Sequence, residues 1–143
     1  MSTRGEATEL WLRWKRAYET TRAAVIADMT AASGLSESEL SVLVCLHESD
    51  GVLRQNALAT ALGWDRTRLS HLLTRMEKRD YVARSKVATG VEVTLRPAAR
   101  RTIDASVPAL EDSTRRHLLD RLAPDDATAL KEIVERLLSD DSR

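Results

Sequence analysis

The sequence predicts a mainly α-helical chain with one small β-hairpin. Three observations carry that prediction. Apolar residues recur at helical spacing along most of the 143 residues. Only residues 82–95 switch to strand-like alternation. Glycines, prolines and short polar clusters fall between the periodic stretches, Pro108 excepted.

The elements follow in order. From Glu6 to about Ala32, Leu10, Trp14, Ala17/Tyr18, Thr21, Val25 and Met29 form a helical stripe, and Gly34 ends it. Ser36-Glu37-Ser38-Glu39 is a capping-box pattern: the Ser36 hydroxyl can accept an early amide N–H, and Glu39 can accept from the Ser36 N–H. The helix it starts carries Leu40, Leu43, Val44 and Leu46 and stops near Ser49-Asp50-Gly51. A short helix within "LRQNALATALG" carries Ala57, Leu58, Ala61 and Leu62 and stops at Gly63. Asp65 is a plausible N-cap for the next helix, whose Leu69, Leu72, Leu73 and Met76 make one apolar stripe.

After Asp80, alternation on either side of Thr89-Gly90 predicts a two-stranded hairpin with its turn at Gly90. Pro97 opens a long helix at the tolerated first-turn position, and Pro108 is expected to kink or break it. Ala123-Pro124-Asp125-Asp126 starts a last helix through Leu130, Ile133, Val134, Leu137 and Leu138.

The composition narrows the class. The length suits a single domain over 1–143, or one subunit of a small oligomer. With no Phe and only five aromatic residues, the core must be built from Leu, Val, Ile, Ala and Met. No apolar run approaches a membrane span of about 20 residues, so no membrane partner is expected. The start, MSTRGEATEL, lacks the apolar stretch of a signal peptide. A single cysteine, Cys45, fits a reducing compartment, and the expected location is cytoplasmic.

Formal net charge is zero but unevenly spread. Residues 1–53 carry −3, residues 54–101 carry +7 and residues 102–143 carry −4. A basic middle between acidic flanks suggests a face made for a polyanion, against the plainer reading of a solvated charged surface. Two short helices joined at Gly63 and followed by a hairpin make a helix-turn-helix with a wing. With the Leu69/Leu72/Leu73/Met76 stripe packed inward, the opposite face is centred on Thr67, Ser70, His71, Thr74 and Lys78, flanked by Arg68 and Arg75. Short polar side chains with basic shoulders can enter a major groove and bond bases or phosphates.

These residues resemble the MarR family of bacterial transcription regulators. The resemblance is carried by "LSESELSVLVCL" (35–46), "RQNALATALGWDRTRLSHLLTRMEKRDYVAR" (54–84) and "VEVTLRPAAR" (91–100), and the flanking helices extend it over nearly the whole chain. It implies a homodimer with a winged helix-turn-helix lobe at about 36–96 and long dimerisation helices at about 6–33 and 97–139. Each subunit would offer its recognition helix, Asp65–Arg79, to a palindromic operator in double-stranded DNA. Arg66, Thr67, Arg68, Ser70, His71 and Arg75 would face the DNA, and Arg84 and Lys86 would contact it from the wing, which in the family reaches the minor groove and backbone. The resemblance further implies a repressor released by a small-molecule effector. Two departures stand out. Asp80 occupies a position that is usually Gly, where Asp tolerates a left-handed backbone better than most residues. The wing, "SKVATGVEV", lacks the family's Asp-x-Arg motif, which leaves Lys86 as the cation near its tip.

Trp11, Trp14 and Tyr18 cluster on the first helix. They could form a stacking wall for a small aromatic effector, or anchor a dimer interface, the commoner use of such rings. Trp64 is expected to pack at the turn between the two short helices. Cys45 lies in an apolar run and reads as a buried, inert thiol. The three histidines show no metal-ligand spacing, and no phosphate loop, nucleophile elbow or paired-carboxylate site is present. No enzyme activity, metal or cofactor is expected. The functional alternatives are a DNA-binding regulator without effector, and a dimeric interaction module that has lost operator binding.

Overall fold

A computed structural model describes residues 5–139; the first residues of the MSTRGEATEL start lie outside them. The helices are α1 (Glu6–Ser33), α2 (Glu37–Glu48), α3 (Gln55–Leu62), α4 (Arg66–Lys78), α5 (Pro97–His117) and α6 (Pro124–Leu138). The strands are β1 (Val52–Arg54), β2 (Val82–Val87) and β3 (Gly90–Leu95). A single 3-10 turn, Leu119–Arg121, links α5 to α6. No helix among the described residues is long and apolar enough to cross a membrane.

The helix ends have local causes. At α2 the capping box is complete: the Glu39 N–H donates to Ser36 Oγ and the Ser36 N–H donates to Glu39 Oε1, both at 3.1 Å. At α4, Asp65 Oδ1 accepts from the Arg68 N–H at 2.8 Å. Gly63 closes α3 in the left-handed region at φ +66°, a conformation that glycine adopts without penalty. Asp80 stands at φ +60° beyond α4, so the chain makes the left-handed turn without the usual glycine.

The chain forms two compact units. One runs from Met29 to Pro108 and holds the tail of α1, α2 to α4, the sheet and the first half of α5. Every buried apolar side chain among the described residues belongs to it: Val42, Leu43 and Leu46 of α2, Leu58 of α3, the Leu69/Leu72/Leu73/Met76 stripe of α4, and Val82, Val93 and Leu95 of the sheet are central. Burying each such side chain stabilises the fold by about 1.5–3 kcal/mol.

The sheet has three antiparallel strands in the order β1-β3-β2, not two. Val82 pairs with Leu95 and Val87 with Gly90, leaving Ala88-Thr89 as the turn; Gly90 itself opens β3. The extra strand pairs Val52 with Thr94 and Arg54 with Glu92. At three residues, β1 is too short to display alternation, so nothing in the local pattern marks it.

The other unit comprises residues up to Asp28 and from Ala109 onward. Ser113 is the one buried residue among those described in it. Its hydroxyl donates to Asp28 Oδ2 at 2.6 Å, and the same oxygen lies 3.0 Å from His117 Nε2 and 3.2 Å from Arg116 Nη2. This polar node ties α1 to the second half of α5. Of the kink or break expected at Pro108, the break is absent: α5 runs as one helix from Pro97 to His117 with Pro108 inside it. The carbonyl that Pro108 cannot serve belongs to Asp104, an exposed residue that water can satisfy.

Candidate nucleic-acid interface

α4 presents three faces to three surroundings. Its apolar stripe is fully inside the core of its unit. Directly opposite, Thr67, His71, Thr74, Arg75 and Lys78 are exposed, and Arg66 and Arg68 are exposed in the first turn. Of the side chains assigned to DNA from sequence, Thr67, His71 and Arg75 therefore share one outward surface, with Arg66 and Arg68 at its N-terminal end.

One shoulder of α4 is bound to α2. Arg79 Nη1 donates to Glu39 Oε2 at 2.7 Å, so the carboxylate that closes the α2 capping box also receives a cation from the end of α4. The Arg79 guanidinium lies over the Tyr81 ring, 4.8 Å from its centroid. Near the start of α4, the Arg68 guanidinium lies 4.2 Å from the centroid of the Trp64 ring, and its Nη2 donates to Ser38 Oγ at 3.4 Å. Trp64 does sit at the turn, half-buried, but it is also a platform that stacks Arg68. The i, i+4 spacing of Trp64 and Arg68 across the N-cap was the signal for this contact.

The other shoulder faces the wing. Arg84 on β2 is half-buried and turned onto α4: Nε donates to Glu77 Oε1 at 2.7 Å, Nη2 to Thr74 Oγ1 at 2.8 Å, and Nη1 to Ser70 Oγ at 3.3 Å. Nη2 also lies 2.6 Å from Glu77 Oε1. Ser70 is half-buried in consequence and belongs to this shoulder more than to the outward face. Two residues farther along β2, Lys86 is exposed. Between α4 and the wing runs an open groove of about 330 Å³ lined by Gln55, Ser70, Arg84, Ser85, Lys86 and Val91.

Trp11, Trp14 and Tyr18 lie in the other unit, all three exposed, with the Trp11 and Trp14 ring centroids 5.6 Å apart at an interplanar angle of 55°. Cys45 is half-buried and not fully enclosed as its apolar run suggested; burial, helped by the nearby Glu48 charge, pushes its thiol above the usual range. A thiol with a raised pKa carries little thiolate and is a poor nucleophile. No group of His, Cys, Asp or Glu among the described residues is placed to hold a metal.

The assembled surface is a stripe of exposed, mostly short polar side chains on α4, with Arg66 and Arg68 at one end and Arg84 and Lys86 on the neighbouring wing. Comparison with known proteins agrees with this geometry. The MarR family profile matches residues 35–88. AbsC, a MarR family transcriptional regulator from Streptomyces coelicolor, is 31% identical, with 96% of this chain and 98% of that chain covered and a TM-score of 0.71. Sco3205, a MarR family transcriptional regulator from the same organism solved in complex with DNA, is 25% identical, with 96% and 88% covered and a TM-score of 0.73. The oxidised form of MarR from E. coli shares the fold at a TM-score of 0.75 with 14% identity, over 96% of this chain and 97% of that one. No match is found among curated proteins. With a relative of this identity matched along almost its whole length, and with the family profile falling on α2 through β2, the first strand of the wing, the chain belongs to the MarR family of transcriptional regulators.

Proposed function

We propose that the protein is a homodimeric, sequence-specific DNA-binding regulator that reads a palindromic operator through α4. The observation that carries the reading is the outward face of α4, where Thr67, His71 and Arg75 stand exposed, with Arg66 and Arg68 beside them and Lys86 on the wing. These side chains offer donors suited to base edges and phosphates, and they lie within the +7 segment of a neutral chain. The DNA complex of Sco3205, 25% identical over nearly the whole chain, supports the same use of this fold here. A two-fold dimer presents two such helices, so the preferred site is an inverted repeat with half-sites about one helical turn apart. Selection from a random duplex library tests this directly. An enriched inverted repeat is the expected result, and failure to enrich any duplex overturns the reading.

The dimer rests on a separate observation. The unit built from α1, the second half of α5 and α6 buries no apolar side chain among its described residues. Its Leu10, Leu137 and Leu138 are 68%, 66% and 77% exposed. Apolar surface on that scale marks an interface, and a second copy of the chain is the occupant in this reading.

Regulation takes the form of repression in the cytoplasm, released by a small aromatic ligand that stacks on Trp11, Trp14 and Tyr18. The exposure of all three rings supports a role in recognition. Titrating small aromatic acids into the protein–DNA complex separates effector binding from pure interface anchoring. Release of DNA that is lost in Trp14→Ala, in a protein still dimeric by sedimentation, supports the effector role. Loss of the dimer in that variant assigns the rings to the interface.

A further inference from the structure

Arg84 is the most enclosed of the ion-paired cations of the basic segment, since the paired Arg79 and Arg96 side chains are 47% exposed against its 21%. It is held by three acceptors on one shoulder of α4, Ser70, Thr74 and Glu77, spaced i, i+4 and i+7. Both ends of the ion pair are partly withdrawn from water, with side-chain exposures of 21% for Arg84 and 35% for Glu77. A charge-assisted, forked arrangement of this kind is directional as well as attractive. It also resolves an oddity of the sequence. Glu77 is an acid on the helix that carries the polyanion-binding face, where a bare carboxylate would repel phosphate. Paired with Arg84, it adds nothing to the net charge of that face.

The geometry has a mechanical consequence. β2 pairs with β3 from Val82 to Val87, and β3 pairs with β1 from Glu92 to Thr94, so the base of the wing is fixed in the sheet and its free end runs from Ser85 to Val91, just beyond Arg84. Arg84 is the third residue of β2, and its fork grips α4 over two turns, from Ser70 to Glu77. The angle between wing and helix fixes where Lys86 stands when α4 enters a groove. It also sets the width of the groove lined by Ser70, Arg84 and Lys86.

We infer that Arg84 and Glu77 form a positioning strut that sets the wing against the recognition helix, so that Arg84 governs specificity without touching DNA. The inference rests on the DNA-binding reading of α4. Lysine cannot replace arginine in this role, because an ammonium lacks the planar fork that serves three separate acceptors.

The test uses full-length protein, the duplex enriched by the wild type from a random library, and a random-sequence duplex of equal length. Glu77→Gln removes a negative charge close to the polyanion. Electrostatics alone would tighten binding to both duplexes. The strut predicts opposite signs: random duplex bound as well or better, enriched duplex bound about tenfold more weakly. Arg84→Lys keeps the cation and should lower the enriched-to-random ratio by a similar factor, with an unchanged dependence of log affinity on log salt. Loss of global stability cannot mimic the split in Glu77→Gln, since it would weaken both duplexes. If Glu77→Gln does not fold by circular dichroism, Arg84→Lys decides alone. The inference is overturned if Arg84→Lys matches the wild type on both duplexes, which would make Arg84 a phosphate cation. It is also overturned if both variants keep the wild-type ratio, which would make the pair an ordinary surface contact. A wild type that enriches no duplex overturns the DNA-binding reading and this inference with it.

Discussion

His71 and Arg68 sit one helical turn apart on α4 and work under different constraints. His71 is exposed on the outward face, and Arg68 is steadied against Trp64 at the shoulder. In the proposed DNA-binding role both would reach base edges, and each would contribute to reading and not only to attraction. His71→Ala or Arg68→Ala is expected to cost about 1–3 kcal/mol on the preferred duplex and much less on random DNA. Lys86→Ala, by contrast, should weaken both duplexes alike and lower the salt slope by about one. Binding isotherms on the two duplexes at several salt concentrations check all three variants. Asp80 makes a different residue-scale point. At φ +60° it occupies the backbone region that side chains with a Cβ resist. Its carboxylate accepts from Arg96 Nε at 3.3 Å, an exposed contact worth little. Backbone strain therefore decides the outcome: Asp80→Gly should exceed Asp80→Ala in stability by about 1 kcal/mol in urea unfolding.

At the scale of elements, the polar node around Asp28 joins α1 to the second half of α5. The Ser113 hydroxyl foremost, then the His117 hydrogen bond, hold the Asp28 carboxyl below the usual carboxylate range, and the Arg116 charge acts the same way against the opposing effect of burial. A carboxyl with a lowered folded pKa stabilises the fold above its unfolded pKa, about 3.9. That contribution is lost as pH falls through the folded value. The melting temperature of the wild type should therefore fall more steeply than that of Asp28→Asn on acidification below about pH 4, which calorimetry across an acid pH series can measure. Elements of this kind differ in how legible they are from sequence. The α2 and α4 starts were readable because Ser36, Glu39 and Asp65 act within one turn of their own helix. The outward face of α4 was readable because a single apolar stripe fixes where its opposite lies. β1 and the Asp28 node were not, since each depends on partners remote in sequence: β1 on β3, and Asp28 on Ser113, 85 positions away; nor was the Arg84 fork, whose acceptors are only 7 to 14 positions away but on another element. Periodicity reports which side of an element is apolar, and it is silent on which polar groups meet across elements.

For the molecule as a whole, charge and apolar surface are segregated in sequence. The +7 segment coincides with α3, α4, the wing strands β2 and β3 and the start of α5, and the −3 and −4 flanks lie before and after it. DNA affinity should accordingly fall linearly in log–log terms with salt between about 50 and 200 mM, with a slope set by the phosphates each dimer neutralises. The apolar surface is segregated in the opposite sense. On α6, Ile133, Val134, Leu137 and Leu138 are all at least 40% exposed, although with the half-buried Leu130 they form the helix's apolar stripe. A stripe so regular would bury against a core if its own unit supplied one, yet Ser113 is that unit's one buried residue among those described. In the dimer proposed above, its stability comes from association, which makes it dependent on protein concentration. Two measurements follow. The melting temperature should rise with concentration across the micromolar range. Ile133→Glu should shift sedimentation from dimer to monomer and lower the melting temperature. On a monomer, the same substitution at a 43% exposed position would change stability by no more than about 0.5 kcal/mol. A folded wild-type monomer at micromolar concentration, with a melting temperature independent of dilution, would overturn the dimer.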